Sequence, residues 1–526
     1  MHSLQLTTTN PQPLFTAADV KFMEIKRSLT SDAMSGQDAA AVEGSLREQG
    51  FELMRLLFQD HLNWRNCGAV DEPVIGYDGR PRTHVRQGNE RDLMTAFGRV
   101  EVVRPLFGAR NARQLSPHDA ALNLPTDLYS FPVRKEVALQ VAQTSFDSSI
   151  AAVERTSAAH VPKRQAEELV VRATTDFNAF YKYCAFGVAP EATSELLILS
   201  VDRKGVVMVP RDLTEETRKR AEASKPKLDT RKGKGEKDNR KRMAIVAAVY
   251  TVAPHVRTPE QVVAGLRHVR DATRTRPPKP EHKRVWATLD KSVEEVVRDL
   301  FDEADLRDPE RTKTCYAMVD GESGLEKHIN AEAKLRGRKV TVVLDFIHAV
   351  EYLWRASTAF HDEGDAQREK WVLERLTKVL HGNVSDVAAG MAHSATLRKL
   401  TEKQRLPVDK AVAYLTKRKD MMPYGELLAA GTPIASGVIE GACRHLICDR
   451  LEVSGARWSL QRAEAVMQLR ALVANGDFEP YWQYHELSER QRNHDLRYQG
   501  GKPPEVKNAK PGRHLRLIQG GKGASL

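Results

Sequence analysis

An α/β fold is predicted for this chain of 526 residues. Short apolar runs of strand length occupy its middle (Leu196 to Val201, Met243 to Val252, Cys315 to Val319, Val340 to Leu344), and segments of helical spacing lie between and around them. The acids add a third observation. The runs at 196 and 315 each lead into an isolated aspartate, Asp202 and Asp320, and Ser436-Gly437-Val438-Ile439 leads straight into Glu440.

The length predicts about three or four domains rather than one core. Apolar residues make up 41% of the chain, and no run approaches the roughly 20 residues of a membrane span, so no membrane partner is expected. The first residues lack a charged region followed by an apolar stretch, so no signal peptide is expected. Cys67, Cys184, Cys315, Cys443 and Cys448 form no CxxC pair, which fits a reducing compartment. A cytoplasmic, nucleoid-associated location follows as the expectation. The net charge of +11 is concentrated: residues 218–242 hold 12 Lys/Arg against 4 Asp/Glu, and residues 490–526 hold 9 against 2. The rest of the chain is net negative. Positive charge gathered in two polar segments favours a polyanion, because each neutralised phosphate releases condensed counterions.

Residues 1–84 read as a helical N-terminal region. Leu46, Leu53, Met54, Leu57 and Phe58 share one helical face, with Ser45 and Glu48 as a capping box at its start. Residues 85–132 carry a β-hairpin: Leu93, Thr95 and Phe97 alternate, Gly98-Arg99 turns, and Val100 and Val102 alternate again. Residues 133–190 return to helix, with Val137, Val141, Phe146, Ile150 and Val153 inward. A break at 157–162 follows, and a second helix opens near Pro162 with Lys163 and Arg164 outward. Such a pair is either a helix-turn-helix that docks on DNA or two packed helices with no such role.

Residues 191–356 form the predicted core, with a basic insertion at 210–242. Strands are expected at 196–201, 205–209 and 243–252, then a helix through Val293, Val296, Val297 and Leu300, a strand ending at Asp320, a helix from Leu325 and a strand at 339–344. Three strands, a helix, a strand, a helix and a strand is the order of a ribonuclease-H-like fold. Residues 357–432 are polar and helical, an α-helical insertion. Residues 433–478 complete the core with the helix that carries Glu440, and residues 479–526 read as a basic tail.

A ribonuclease-H-like sheet sets the acid of its first strand beside the acid after its fourth, and a late helix brings a third across them. Asp202, Asp320 and Glu440 in those places suit two Mg²⁺ (or Mn²⁺) ions roughly 3.5–4 Å apart, since hard cations prefer carboxylate oxygens. Asp345 also ends a strand, with His348 three residues on. It rivals Asp320 for the second place, but it follows the fifth strand, so Asp345 and His348 read as supporting residues. Zinc at Cys443, His445 and Cys448 is not expected, because at about 100° per residue they face different sides of a helix. Arg444 is placed to pair with Glu440 or to hold a phosphate. Arg231, Lys232, Lys234, Arg240 and Lys241 of the basic insertion are expected to follow phosphates. Arg457-Trp458 is expected either to contact DNA or, for the tryptophan, to pack in the core.

The chain resembles insertion-sequence transposases of the DDE class, and within them the ISKra family. The resemblance rests on residues 200–206 (Ser-Val-Asp-Arg-Lys-Gly-Val), 345–354 (Asp-Phe-Ile-His-Ala-Val-Glu-Tyr-Leu-Trp), and the block from Pro433 through Glu440 and His445 to Gly455-Ala456-Arg457-Trp458-Ser459. It continues in 463–466, 469–470 and 476–478, and spans about 85 to 495. It implies that Asp202, an aspartate near 320 or 345, and Glu440 bind the metals. It also implies an α-helical insertion before the glutamate helix and an N-terminal region that reads the element's terminal repeats. Where many relatives carry a cysteine pair between about 104 and 120 this chain has none, which puts a zinc ribbon there in doubt. Arg203 stands where the family commonly has glycine. The expected partners are double-stranded DNA, as terminal inverted repeats and target, and further copies of the chain. A domesticated DNA-binding protein without the reaction and a ribonuclease-H-like nuclease or resolvase are the alternatives.

Overall fold

Helix formers fill residues 16–66, and the structure, a computed structural model, winds them into helices Thr16–Leu29, Asp32–Ser35 and Ala39–Asn66. It describes residues 14–66, 68–185, 193–223, 240–267, 275–321, 324–453 and 455–507. The long helix begins before Ser45. The Asp38 carboxylate accepts the Ala41 amide at 2.8 Å and satisfies one of the orphan N–H groups of the first turn. Ser45 lies inside, where its hydroxyl accepts from the Gln49 side chain. The apolar face expected here is mostly not covered: Leu46, Met54 and Leu57 are exposed, and Phe58 packs beside the buried cluster of Leu62, Leu93, Val100, Val102 and Leu124.

Strands β1 (His84–Thr95) and β2 (Gly98–Gly108) pair antiparallel, Leu93 opposite Val100. Thr95 pairs with Gly98, so the loop is the two residues Ala96-Phe97, two residues earlier than expected. The Thr95 hydroxyl accepts the Phe97 amide and donates to the Gly98 carbonyl, while Gly98 takes φ 111°. Helices Phe131–Gln143, Phe146–Thr156 and Lys163–Arg172 follow, with Val137, Val141, Phe146, Val153, Ala166, Leu169 and Val170 buried. The break at 157–162 is where the sequence placed it. A further break occurs at Ser145, whose hydroxyl caps the second helix by accepting the Ser148 amide.

Two compact units divide the described residues: one up to Asp176 together with those from Glu479 on, the other from Phe177 to Phe478. The segment expected as a basic tail therefore contains folded structure. Helix Phe478–Asn493 buries Tyr481, Trp482 and His485, and Tyr481 donates to the Ala173 carbonyl at 2.6 Å. Asp176 is hydrogen-bonded to His485 Nδ1 at 2.7 Å and to Arg492 at 2.5 and 2.9 Å.

In the second unit, β3 (Leu196–Val207), β4 (Lys241–Val252), β5 (Glu281–Thr288), β6 (Thr314–Val319) and β7 (Val340–Leu344) form one mixed sheet in the order β5-β4-β3-β6-β7. β4 runs antiparallel to β3 and β5, whereas β6 lies parallel to β3 and β7 parallel to β6. The central strands are buried almost without interruption, as strands covered on both faces are. The two strands expected at 196–201 and 205–209 are one, because β4 pairs with β3 along its whole length, from Leu196 opposite Val252 to Val207 opposite Lys241. The third strand is instead β5, unforeseen because its first half, Glu281-His282-Lys283-Arg284, is charged and only Val285 to Thr288 are buried. Helix Val293–Arg307, capped by Ser292 and Glu295, connects β5 to β6, and Leu325–Arg336 connects β6 to β7. Helices Phe346–Ser357, Ala366–Leu380, Val384–Leu397, Glu402–Arg418 and Tyr424–Ala429 follow with no strand among them, as expected for 357–432. No helix of the described residues is long and apolar enough to cross a membrane. Arg231, Lys232 and Lys234 lie outside the described residues.

Two expected outcomes follow. Arg338 and Asp308 form an ion pair at 3.0 Å with both side chains 2% exposed. Arg338→Met strands a buried carboxylate, so chemical denaturation should show a loss of roughly 3–5 kcal/mol; a loss below about 1 kcal/mol would mean that Asp308 is held by its other partners. For Asp176, burial raises the carboxyl pKa, but the bonds from His485 and Arg492 outweigh it and leave it below the ordinary 3.8. A depressed folded value contributes stability above the unfolded pKa, and that contribution disappears as pH falls through the folded one. Melting curves between about pH 5 and pH 2 should fall less steeply for Asp176→Asn than for the natural chain. Equal slopes would exclude Asp176 as a source of acid sensitivity.

Candidate active site

Strand register sets three acids in a row. Val201 of β3 pairs with Val319 of β6, and Val319 pairs with Leu344 of β7. The next residue in each case is an acid: Asp202, Asp320 and Asp345. β6 and β7 stop at this row, whereas β3 runs on, so Asp202 lies within its strand, opposite Val246 of β4, and not at a strand end as the sequence suggested.

Asp202 is half-buried. One carboxylate oxygen accepts the Arg203 amide at 2.6 Å and the other accepts the Cys443 thiol at 3.2 Å. Asp320 is also half-buried, in a turn fixed from behind: its carbonyl accepts the Tyr414 hydroxyl at 2.8 Å, and the Gly321 carbonyl accepts Arg418 Nε at 2.6 Å. Gly321 has φ 79°, and a Cβ there would stand 2.6 Å from Arg418 Nε and Leu344 Cδ1. Only glycine fits that turn.

Asp345 differs. It is 4% exposed, and each oxygen is engaged by a backbone amide, Ile347 at 2.9 Å and Ser436 at 2.9 Å. The first bond caps helix Phe346–Ser357 and the second holds the loop that leads to Glu440. The Ser436 hydroxyl contacts the Ser200 hydroxyl on β3 at 3.1 Å and accepts the Ile439 amide at 3.4 Å. Glu440 emerges from helix Gly437–Ala442, whose start these bonds fix. Burial raises the pKa of Asp345; the Ser436 and Ile347 amides and the charge of His348 oppose this, and Asp202 adds to it. Glu440 is raised first by burial, then by Asp345, against His348, with Asp202 and Glu351 adding to it.

Electrostatics and coordination capacity point to different second acids. Asp345 is the charge felt most by Glu440, and Asp320 is not among the strongest. A metal ligand, however, needs an oxygen that can turn outward. Asp345 is 4% exposed, whereas Asp320 is half-buried and stands next in register to Asp202. Exposure thus favours Asp320, and the electrostatic coupling to Glu440 favours Asp345. Among the described residues, no three His, Cys, Asp or Glu side chains stand close enough to hold an ion as placed. The donor set nonetheless fits a hard cation in kind. Asp202, Asp345 and Glu440 repel one another, and no Lys or Arg among the described residues forms an ion pair with any of them.

After Ala442 the helix widens into a π-turn, Cys443–Cys448, before Asp449–Leu451. This brings Cys443 to Asp202 and changes the partner of Arg444. The expected Arg444–Glu440 pair is not formed; Arg444 reaches Asp449 at 3.4 Å, five residues on, as π geometry allows. His445 contacts the same Asp449 at 3.1 Å. Trp458 takes the core alternative: it is 6% exposed, its indole N–H donates to the Leu451 carbonyl at 3.1 Å, and Arg450 lies over its ring. Arg457 is exposed, Arg240 is half-buried at the start of β4, and Lys241 pairs with Glu452 at 3.0 Å. In the other unit, Lys163 and Arg164 are exposed and pair with Asp147 and Glu168. Sequence reasoning missed Cys443, Ser436, Tyr352 and Tyr414. Only the unbroken sequence block around Glu440 pointed toward the first two.

The chain matches no protein-family model and no curated protein.

The two aspartates separate experimentally. Asp345→Asn brings an amide N–H₂ against one of two backbone donors, so its melting temperature should drop by several degrees, from about 1–3 kcal/mol of lost bonding. Asp320 is half-buried where Asp345 is almost fully enclosed, so Asp320→Asn should melt closer to the natural chain than Asp345→Asn does. The reverse pattern would exchange their roles.

Proposed function

We propose that this chain is a DDE transposase similar to the ISKra family, binding the ends of its insertion sequence, cleaving DNA there and joining the freed end to a target. The observation that carries the reading is the row Asp202–Asp320–Asp345 at one end of a β5-β4-β3-β6-β7 sheet, with a separate helix delivering Glu440 to the same end. Three antiparallel strands followed by two parallel ones is the arrangement of a ribonuclease-H-like core, and the four helices between Ala366 and Ala429 stand as its insertion.

In this reading Asp202, Asp320 and Glu440 hold two Mg²⁺ or Mn²⁺ ions, and Asp345 positions the loop before Glu440. The ions, when bound, supply an activated oxygen nucleophile and charge stabilisation on the departing oxygen. Asp345 and Ser436 fix the helix start, so Glu440 is carried on a rigid support. The Cys443 thiol restrains one Asp202 oxygen. Water attacks phosphorus at the element end and the 3′-oxygen leaves; the resulting 3′-hydroxyl then attacks phosphorus of a target phosphodiester, whose own 3′-oxygen departs. Exposed Lys163, Arg164 and Arg457, with Arg240, Lys241 and the basic residues 231, 232 and 234, are assigned to phosphate contacts. The exposed Lys and Arg outnumber what catalysis needs and fit long DNA, on which two element ends call for at least two copies of the chain.

The test uses duplexes carrying the inverted repeats that flank the coding region. Mg²⁺-dependent end cleavage and joining are expected, with Glu440→Gln reducing them by at least about 100-fold, several kcal/mol of transition-state stabilisation. End binding without any cleavage would replace the reading with a DNA-binding protein that lacks the reaction. Preference for branched junctions over linear ends would replace it with a nuclease or resolvase.

A further inference from the structure

A cavity of about 810 Å³ opens between helices Phe346–Ser357 and Glu402–Arg418, beside the acid row. Its chemistry is opposite to that of the row. Arg355, Lys410, Lys417 and Arg418 line it together with Tyr352 and Tyr414, and no carboxylate does. The two tyrosine rings stack at 3.7 Å and 13°. The Arg418 guanidinium lies 4.1 Å from the Tyr414 ring centre, and that of Arg355 lies 5.2 Å from Tyr352.

Structural roles account for part of this. Arg418 also holds the Gly321 carbonyl, and Arg355 pairs with Glu351 at 2.8 Å. They do not account for Lys410 and Lys417. Both are exposed, stand seven residues apart on the same helix face, and form no ion pair among the described residues. Four cations around one concavity with no lining acid call for an anion with several charged groups. Two guanidinium planes laid over aromatic rings offer flat surfaces on which a base stacks. Size limits the ligand further. A volume within the roughly 300–1,000 Å³ of small-ligand pockets admits one or two nucleotides, whereas a duplex, whose major groove alone is about 12 Å wide, does not fit. Position supplies the last constraint: Tyr414, in the cavity wall, donates to the Asp320 carbonyl at 2.8 Å.

We propose that this cavity binds one or two nucleotides of single-stranded DNA next to the acid row, with phosphates on Lys410, Lys417 and Arg355 and a base on the guanidinium planes. The choice of DNA rests on the proposed function; the anion-binding, stacking character rests on the cavity itself. The strand end freed or unpaired at the acid row would be held here and kept out of the duplex.

Photo-crosslinking tests it, with the full chain in chelator and a thymidine tetranucleotide carrying one 4-thiothymidine as probe. Crosslinks should map to the peptides containing Tyr352 or Tyr414. Lys410→Glu with Lys417→Glu should lower their yield at least about tenfold and reduce the salt dependence of binding by about 1.4 in log–log slope, two contacts of a single strand. Crosslinks confined to other peptides, or unchanged by the double substitution, would overturn the proposal. So would equal suppression by inorganic pyrophosphate and by unlabelled tetranucleotide at one concentration, which would define a simple anion site. Because no cleavage is needed, the two readings fail separately. Cavity crosslinks in a chain that never cuts element ends would sink the transposase reading alone, and end cleavage with crosslinks elsewhere would sink the cavity alone.

Discussion

The second unit depends on one buried carboxylate. Asp345 joins two segments 91 residues apart: its oxygens accept the Ile347 amide at the start of one helix and the Ser436 amide in the loop that starts another. Bonds from amides to a charged acceptor are each worth about 1.5–3 kcal/mol, and the amides would otherwise be buried without partners. The loop is tied to the intervening helices as well: the Phe346 amide donates to the Ile434 carbonyl at 2.9 Å and the Thr432 amide to the Leu427 carbonyl at 2.8 Å. Ser436 extends the tie to Ser200 on β3, so the strand that bears Asp202 and the loop that leads to Glu440 share one polar chain.

Placement of the acids has a cost that the fold carries openly. Burial and mutual repulsion push the pKa of both Asp345 and Glu440 upward, and His348 is the nearest relief. A protein selected for stability alone would set Lys or Arg against such a cluster. The helix after Glu440 spends its own regularity as well: the π-turn turns Cys443 inward, where its thiol, raised by burial and by Asp202, donates to that aspartate. A neutral donor orders the carboxylate without cancelling its charge. Strain and uncompensated charge concentrated in one place are characteristic of a site kept for chemistry.

How much of this was legible in sequence depends on residue type. Buried parallel strands write themselves as apolar runs, so β6 and β7 and the acids that end them were visible. β5 was not, because four charged residues open it and pairing with β4, not its own pattern, makes it a strand. Splitting β3 in two compensated for that omission, so the expected number of strands before the first crossover helix came out right for a wrong reason. Asp345 and Asp320 looked alike in sequence, each an acid after an apolar run. Asp345 is set apart by its cap on the Ile347 amide and by the Ser436 amide 91 residues away, and no local pattern encodes the second. The π-turn likewise bears on the i,i+4 spacing that offered Glu440 as a partner for Arg444, which instead reaches Asp449 five residues on. The helix Phe478–Asn493 was absorbed into the segment expected as a basic tail, though Tyr481, Trp482 and His485 provide its buried face.

The acid row and the cationic cavity stand side by side, yet do not neutralise each other. Tyr414 lies between them, feeling Arg418 from one side and Asp320 and Asp345 from the other, with burial the larger influence on its hydroxyl. That hydroxyl donates to the Asp320 carbonyl and so turns the ring into a wall, which the stacked Tyr352 doubles. In the proposed reading the acids are left for cations and the cations for phosphates, and a phosphodiester with its counterions would engage both surfaces at once.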